Sequence, residues 1–189
     1  MQFLKLAISI TASLLFLGCT SQPPKTQPSP TPSEPPPIPT NTSLKNAVND
    51  LVVLEEKVKG GVDDKAYSII ITNALPLVQN ARGDAKAVAA MKSAFQGHQL
   101  ALQFWQCDRV EGYEQLRQCR SQALLAIFAK YPDIKAQAEA AVKNQDLPTI
   151  SVKLDRDEIL KKIWEKAWAD TVVARQVISP KPTQKQHQR

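Results

Sequence analysis

The sequence predicts an all-α fold, an antiparallel bundle of four to five helices, from three observations. Between Ser43 and Ile178 alanines are many and glycines few. Apolar residues recur there in steps of three and four, the spacing that lines one face of a helix. No turn dipeptide such as Asn-Gly separates alternating apolar runs, so no β-hairpin is announced. The stretch is about 135 residues long, one domain of ordinary size with room for a core.

The first helix is expected from about Leu44 to Lys59, with Ser43 as N-cap and Gly60-Gly61 as the stop. Its apolar residues are Leu44, Val48, Leu51, Val52, Leu54 and Val58. The second begins near Asp63-Asp64 and runs through "AYSIIITNALPLVQNA", where Pro76 leaves two forms open, a kinked helix or a helix broken before the proline. The third, capped by Asp84, sets Val88, Met91, Phe95, His98, Leu102 and Trp105 in alternating steps of three and four, a seam against other helices. His98 is the polar member of that seam and stands beside Gly97, where a neighbouring backbone has room to approach. A buried imidazole must satisfy its nitrogens. His98 is therefore read as a hydrogen-bonded core or boundary histidine, with a ligand contact or pH-sensitive latch as the functional alternative.

Leu124, Leu125, Ile127 and Phe128 mark the next helix, which stops at Tyr131-Pro132 because a residue before proline avoids helical angles. A short helix follows over "IKAQAEAAVKN". "LPTISVKL" alternates Ile150, Val152 and Leu154 and is expected as an extended connection or one short strand. The last helix opens with Asp155 as cap, Glu158 reaching back and Leu154 packing on Ile159. It sets Leu160, Ile163, Trp164, Ala167, Trp168 and Thr171 on a face broad enough for two packing partners. Trp164 and Trp168, one turn apart, are read as core, with an exposed aromatic strip for carbohydrate or protein recognition as the alternative.

The N-terminus, "MQFLKLAISITASLLFLGC", carries one early positive charge, Lys5, and an uncharged apolar run from Leu6 to Leu17. That is the pattern of a signal peptide, and the run is short of the roughly 20 residues a membrane-spanning helix needs. With Gly18 before Cys19, the segment resembles a bacterial lipoprotein signal, although Phe16 and Leu17 stand where Leu followed by Ala or Ser is typical. The resemblance implies cleavage before Cys19 and a lipid on that cysteine; the alternative is an ordinary secretory peptide. The next 24 residues hold nine prolines and can bury no core, which suits an extended spacer of roughly 70 Å. The chain divides into residues 1–18 as signal peptide, 19–43 as lipidated cysteine and Pro-rich linker, 44–178 as helical domain and 179–189 as disordered basic tail.

With Cys19 assigned to lipid, two cysteines remain in an exported domain, and "FWQCDRVEGYEQLRQC" contains both. Cys107 and Cys119 are expected to pair across a reversal at Gly112, clamping one helix end to the next and contributing about 3 kcal/mol. The fold class is thus a bundle with one disulfide-clamped hairpin. A metal site would want four ligands at short spacing; His98 and His187 are the two histidines and no CxxC, CxxCH or HExxH occurs. No metal or cofactor is expected.

The formal charge of +6 suggests nucleic acid or anionic lipid, but residues 44–179 hold 19 basic and 17 acidic side chains, a net of +2. Lys181, Lys185 and Arg189 place much of the excess in the tail. Asp108, Glu111 and Glu114 are interleaved with Arg109, Arg117 and Arg120, a pattern of solvated surface pairs rather than of an acid and base with separated pKa values. Nucleotide loops of the GxxxxGK[ST] or GxGxxG kind do not occur. No catalytic residue is expected.

Phe104-Trp105 at one helix end, Lys130-Tyr131-Pro132 after the next and Ile163-Trp164-Glu165-Lys166-Ala167 in the last are similar to a group of small cyanobacterial proteins of unknown function. That likeness implies an envelope or thylakoid context and brings no activity. The leading expectation is a non-enzymatic lipoprotein of the cell envelope, facing periplasm, lumen or exterior. Cys19 would hold it to membrane lipid, and its helical module would bind an envelope protein through a helix face or the 107–119 hairpin, without nucleic acid. The alternative is a small-ligand or pH-responsive carrier with a cavity near His98, Trp105, Trp164 and Trp168.

Overall fold

A computed structural model of the chain describes residues 40–142 and 145–179. The expectations for the signal peptide, Cys19, the linker as far as residue 39 and the tail from residue 180 lie outside the described residues. Within them the fold is all-α, with seven α-helices, one 3₁₀ turn and no strand. The helices are α1 Thr40–Lys59, α2 Asp64–Asn80, α3 Ala85–Gln106, α4 Tyr113–Lys130, α5 Pro132–Ala141, α6 Leu147–Lys153 and α7 Arg156–Ile178. Five of the helices, α1 to α4 and α7, are long, and the short α5 and α6 link α4 to α7. No described helix is long and apolar enough to cross a membrane.

The helix ends follow local chemistry. Asp63, Asp84, Asp146 and Asp155 each accept a hydrogen bond from the backbone N–H three residues on, satisfying a donor that the first turn leaves free. Glu158 pairs with Lys162, 3.2 Å away on the next turn. Ser43 is not the cap of α1, which begins at Thr40; its hydroxyl accepts instead from the Arg82 N–H at 3.0 Å, tying α1 to the link before α3. Pro76 neither ends nor splits α2. It and Thr72, whose carbonyl loses its donor, both lie on the exposed face of the helix. The segment expected as extended is α6: Asp146 caps it, Pro148 stands in its first turn, and Ile150 and Ser151 are buried. The period-two alternation misled because the helix is too short to show its own period.

α3 and α7 share the most extensive interface of the bundle, with α1 and α2 packed beside them and α6 against α4. At Gly97 α3 approaches α7 closely. A Cβ there would lie 3.1 Å from the Ala167 Cβ and 2.5 Å from the Tyr131 hydroxyl, so the missing side chain makes room for both. Nearby, Lys130 Nζ donates to Ser93 Oγ at 2.8 Å, and Ser93 Oγ donates to Asp170 at 2.6 Å, linking α4, α3 and α7. Burial pushes the Lys130 ammonium pKa down and Asp170 opposes the shift.

Cys107 and Cys119 form a disulfide, joining the 3₁₀ turn Cys107–Arg109 to α4. Gly112 has φ near 93° and supplies the reversal between them. The clamp is stitched to its surroundings by charge. Asp108 accepts from Arg120 at 2.7 Å and from Arg156 of α7 at 2.8 Å, while Arg109 reaches Asp64 of α2 at 2.6 Å. Glu114 takes Arg117 one turn away. Arg109 holds the Asp64 carboxyl below the usual carboxylate range.

Candidate functional site

Four side chains from four helices meet in a buried polar chain. Glu55 of α1 is 2% exposed and His98 of α3 is 0% exposed, with His98 Nε2 3.1 Å from Glu55 Oε1. That contact is close enough for an ion pair but lacks hydrogen-bond alignment at either atom. On the other ring edge, His98 Nδ1 lies 2.8 Å from the hydroxyl of Tyr67 on α2. The same hydroxyl accepts from the indole N–H of Trp164 on α7 at 3.0 Å and stands 3.3 Å from the His98 carbonyl.

This geometry admits two proton arrangements. With neutral imidazole, Tyr67 donates to Nδ1 and Nε2–H points toward Glu55. With imidazolium, Nδ1–H donates to Tyr67, whose own proton turns to the His98 carbonyl. In both states Nδ1 has its partner in place, while Nε2 faces Glu55 without an aligned hydrogen bond. Burial pushes the Tyr67 phenol pKa far above its usual range, with the Trp164 hydrogen bond acting the other way. Tyr67 thus stays a neutral hydroxyl. Trp105 closes the cluster, its ring 5.7 Å from that of Trp164 and 5.8 Å from that of Tyr67.

Buried Glu55 and half-buried Trp164 also border the surface. They help line a groove of about 420 Å³ between the last turns of α1 and the first half of α7, together with Val58, Lys59, Lys161, Glu165 and Trp168. Trp164 and Trp168 are half-buried rather than core. Lys59 sets its ammonium 4.3 Å from the centre of the Trp168 ring. The volume falls within the range of small-molecule sites, and the mix of apolar wall with few polar groups is what such sites use.

His98, Trp105 and Trp164, singled out in the sequence, come together; Trp168 lies one turn along in the groove. Cys107 and Cys119 do not join them. Glu55, Tyr67 and Lys59 were missed. Glu55 had a readable signal: an acid four residues after Leu51 and three before Val58, inside the apolar stripe of α1. Among the described residues no three His, Cys, Asp or Glu side chains converge to hold a metal ion.

No family model, curated protein or solved structure matches the chain.

Proposed function

We propose that the chain is a membrane-tethered lipoprotein of the cell envelope whose helical head is a non-enzymatic binding module, with the α1–α7 groove as its binding surface. One observation carries the placement: the groove exposes two half-buried tryptophans beside a buried carboxylate. Tryptophan is enriched where binding energy concentrates. The anchor rests on Lys5, the apolar run to Leu17 and Gly18-Cys19; the spacer rests on the prolines that follow.

A second reading, a small-ligand or pH-responsive carrier, is favoured by the size of the groove and by the Trp164 N–H, which links its wall to His98 through Tyr67. Two experiments test these readings. Intact mass of the protein from native membranes, before and after reduction and alkylation, should show an acyl increment on Cys19 and two thiols released only by reductant. A photo-crosslinking residue at Glu165 should capture one recurrent envelope protein. An unlipidated chain removes the anchor; a crosslinker that captures nothing, with a small molecule co-purifying, replaces the module by the carrier.

A further inference from the structure

We infer that the α1–α7 groove takes a neutral oligosaccharide, its rings lying on Trp164 and Trp168 and its edge hydroxyls reaching Lys59, Lys161 and Glu165. This rests on the reading of the groove as a binding surface and adds the chemistry of its occupant.

The wall is apolar and set in advance. The Trp164 N–H is spent inward on Tyr67, so this ring offers the groove carbon alone. That bond, with Tyr67 and Trp105 packed edge to face at ring-centre distances of 6.0 and 5.7 Å, fixes the indole before a ligand arrives. Trp168 stands one turn on, about 6 Å along the helix axis, a span that suits linked rings better than a single one. A sugar ring carries C–H groups on its faces, and the face of an aromatic ring is the negative pole that attracts them. The Lys59 ammonium, 4.3 Å from the centre of the Trp168 ring, shows that this face is within reach of a positively polarised group.

The rim decides the class of ligand. Lys59, Lys161 and Glu165 are exposed, and among the described residues the side chains of Lys161 and Glu165 have no hydrogen bond or ion pair. An ammonium ligand can only donate and would meet two lysines that also only donate. A carboxylate ligand can only accept and would meet Glu165, which also only accepts when ionised. A hydroxyl does both, so a ring edged with hydroxyls uses all three heads and opposes none. Water and salt screen charges this exposed, so a net charge would bring a ligand little.

The test titrates the full chain, with tryptophan fluorescence as the readout, against three neutral trisaccharides: cellotriose, maltotriose and the trimer of N-acetylglucosamine. The controls are the cationic trimer of glucosamine, the anionic trimer of galacturonate, and benzyl alcohol. At least one neutral trisaccharide should bind about fivefold more tightly than every control, with an affinity that changes less than about twofold between low and high salt. Trp168→Ala should weaken it at least about tenfold, and Lys161→Leu and Glu165→Leu about threefold each. Circular dichroism confirms folding of each variant. Should Trp168→Ala fail to fold, the two rim variants, at exposed positions, decide the matter. Equal or tighter binding of a charged trimer or of benzyl alcohol, lost in Trp168→Ala, overturns the neutral saccharide and leaves the groove as a binding surface. Trisaccharide binding that none of the three variants weakens overturns it as well. Binding of no neutral trisaccharide does the same, and the crosslink from position 165 then judges the groove by itself.

Discussion

Where α7 crosses α3, Ala167 faces Gly97 with no space for a single added methyl group. Where it passes α1, Trp164 and Trp168 flank a groove wide enough for a small molecule. The two faces belong to one helix, and the residues that build them alternate along it. Small residues close the first because backbones that approach leave no void; large flat ones line the second and stay half-buried, Trp164 against Tyr67 and Trp105 and Trp168 under Lys59. Stability and recognition are therefore separable on α7, and substitution should damage one face without the other.

The largest effect is expected behind the open face. His98→Leu strands the Glu55 carboxylate in the core and should cost about 4 kcal/mol, while Glu55→Leu combined with it should recover most of that loss. Denaturant unfolding of the single and double variants measures both. A single-variant cost below about 1 kcal/mol would mean that the pair is no charged contact at all. On the closed face Gly97→Val should cost about 3 kcal/mol through overpacking against Ala167 and Tyr131, against less than about 1 kcal/mol for Trp168→Ala. If the two losses came out equal, the contrast between the faces would collapse.

Reduction of Cys107–Cys119 should lower stability by about 3 kcal/mol, read as a fall in the denaturant midpoint upon adding reductant. The clamp also carries Asp108, which holds Arg156 at the start of α7, so its loss should loosen that end before the Gly97 crossing. Hydrogen exchange resolves the order. Trp164→Phe should cost about 1 kcal/mol, keeping the ring and removing the hydrogen bond to Tyr67.

The smallest effects lie in pH. Burial raises the pKa of both Tyr67 and Tyr131 in the folded state. A raised folded pKa gives stability that is complete below the unfolded value of about 10 and is lost as pH climbs beyond it. Ultraviolet titration should therefore show these two phenols ionising together with alkaline unfolding. Ionisation of both in a folded chain would contradict their burial.

The helices were legible where sequence signals are local. Asp63, Asp84 and Asp155 announce the starts of α2, α3 and α7, and Gly60-Gly61 the end of α1. The buried face of α3 was only half legible. Met91, Phe95 and His98 were read correctly, but Ala94, Ala101 and Phe104 are buried while Val88, Leu102 and Trp105 stay partly open. Alanine carries little hydrophobic signal, yet it marks where helices come closest. α6 was lost because seven residues cannot display a period, and its Asp146 and Pro148 start signal was overlooked beside the alternation. His98 was legible as a buried imidazole; its partners Glu55 and Tyr67 come from helices whose meeting only the packing decides.

Gly97 also meters the chain. An α-helix advances about 1.5 Å and turns about 100° per residue. One residue inserted between the Asp155 cap and Ala167 would carry Lys166 to the crossing, and one deleted would carry Trp168 there. Neither fits a place with no room for a methyl group. Substitutions along the exposed side of α7 are thus cheap, but its count of residues is not free to drift.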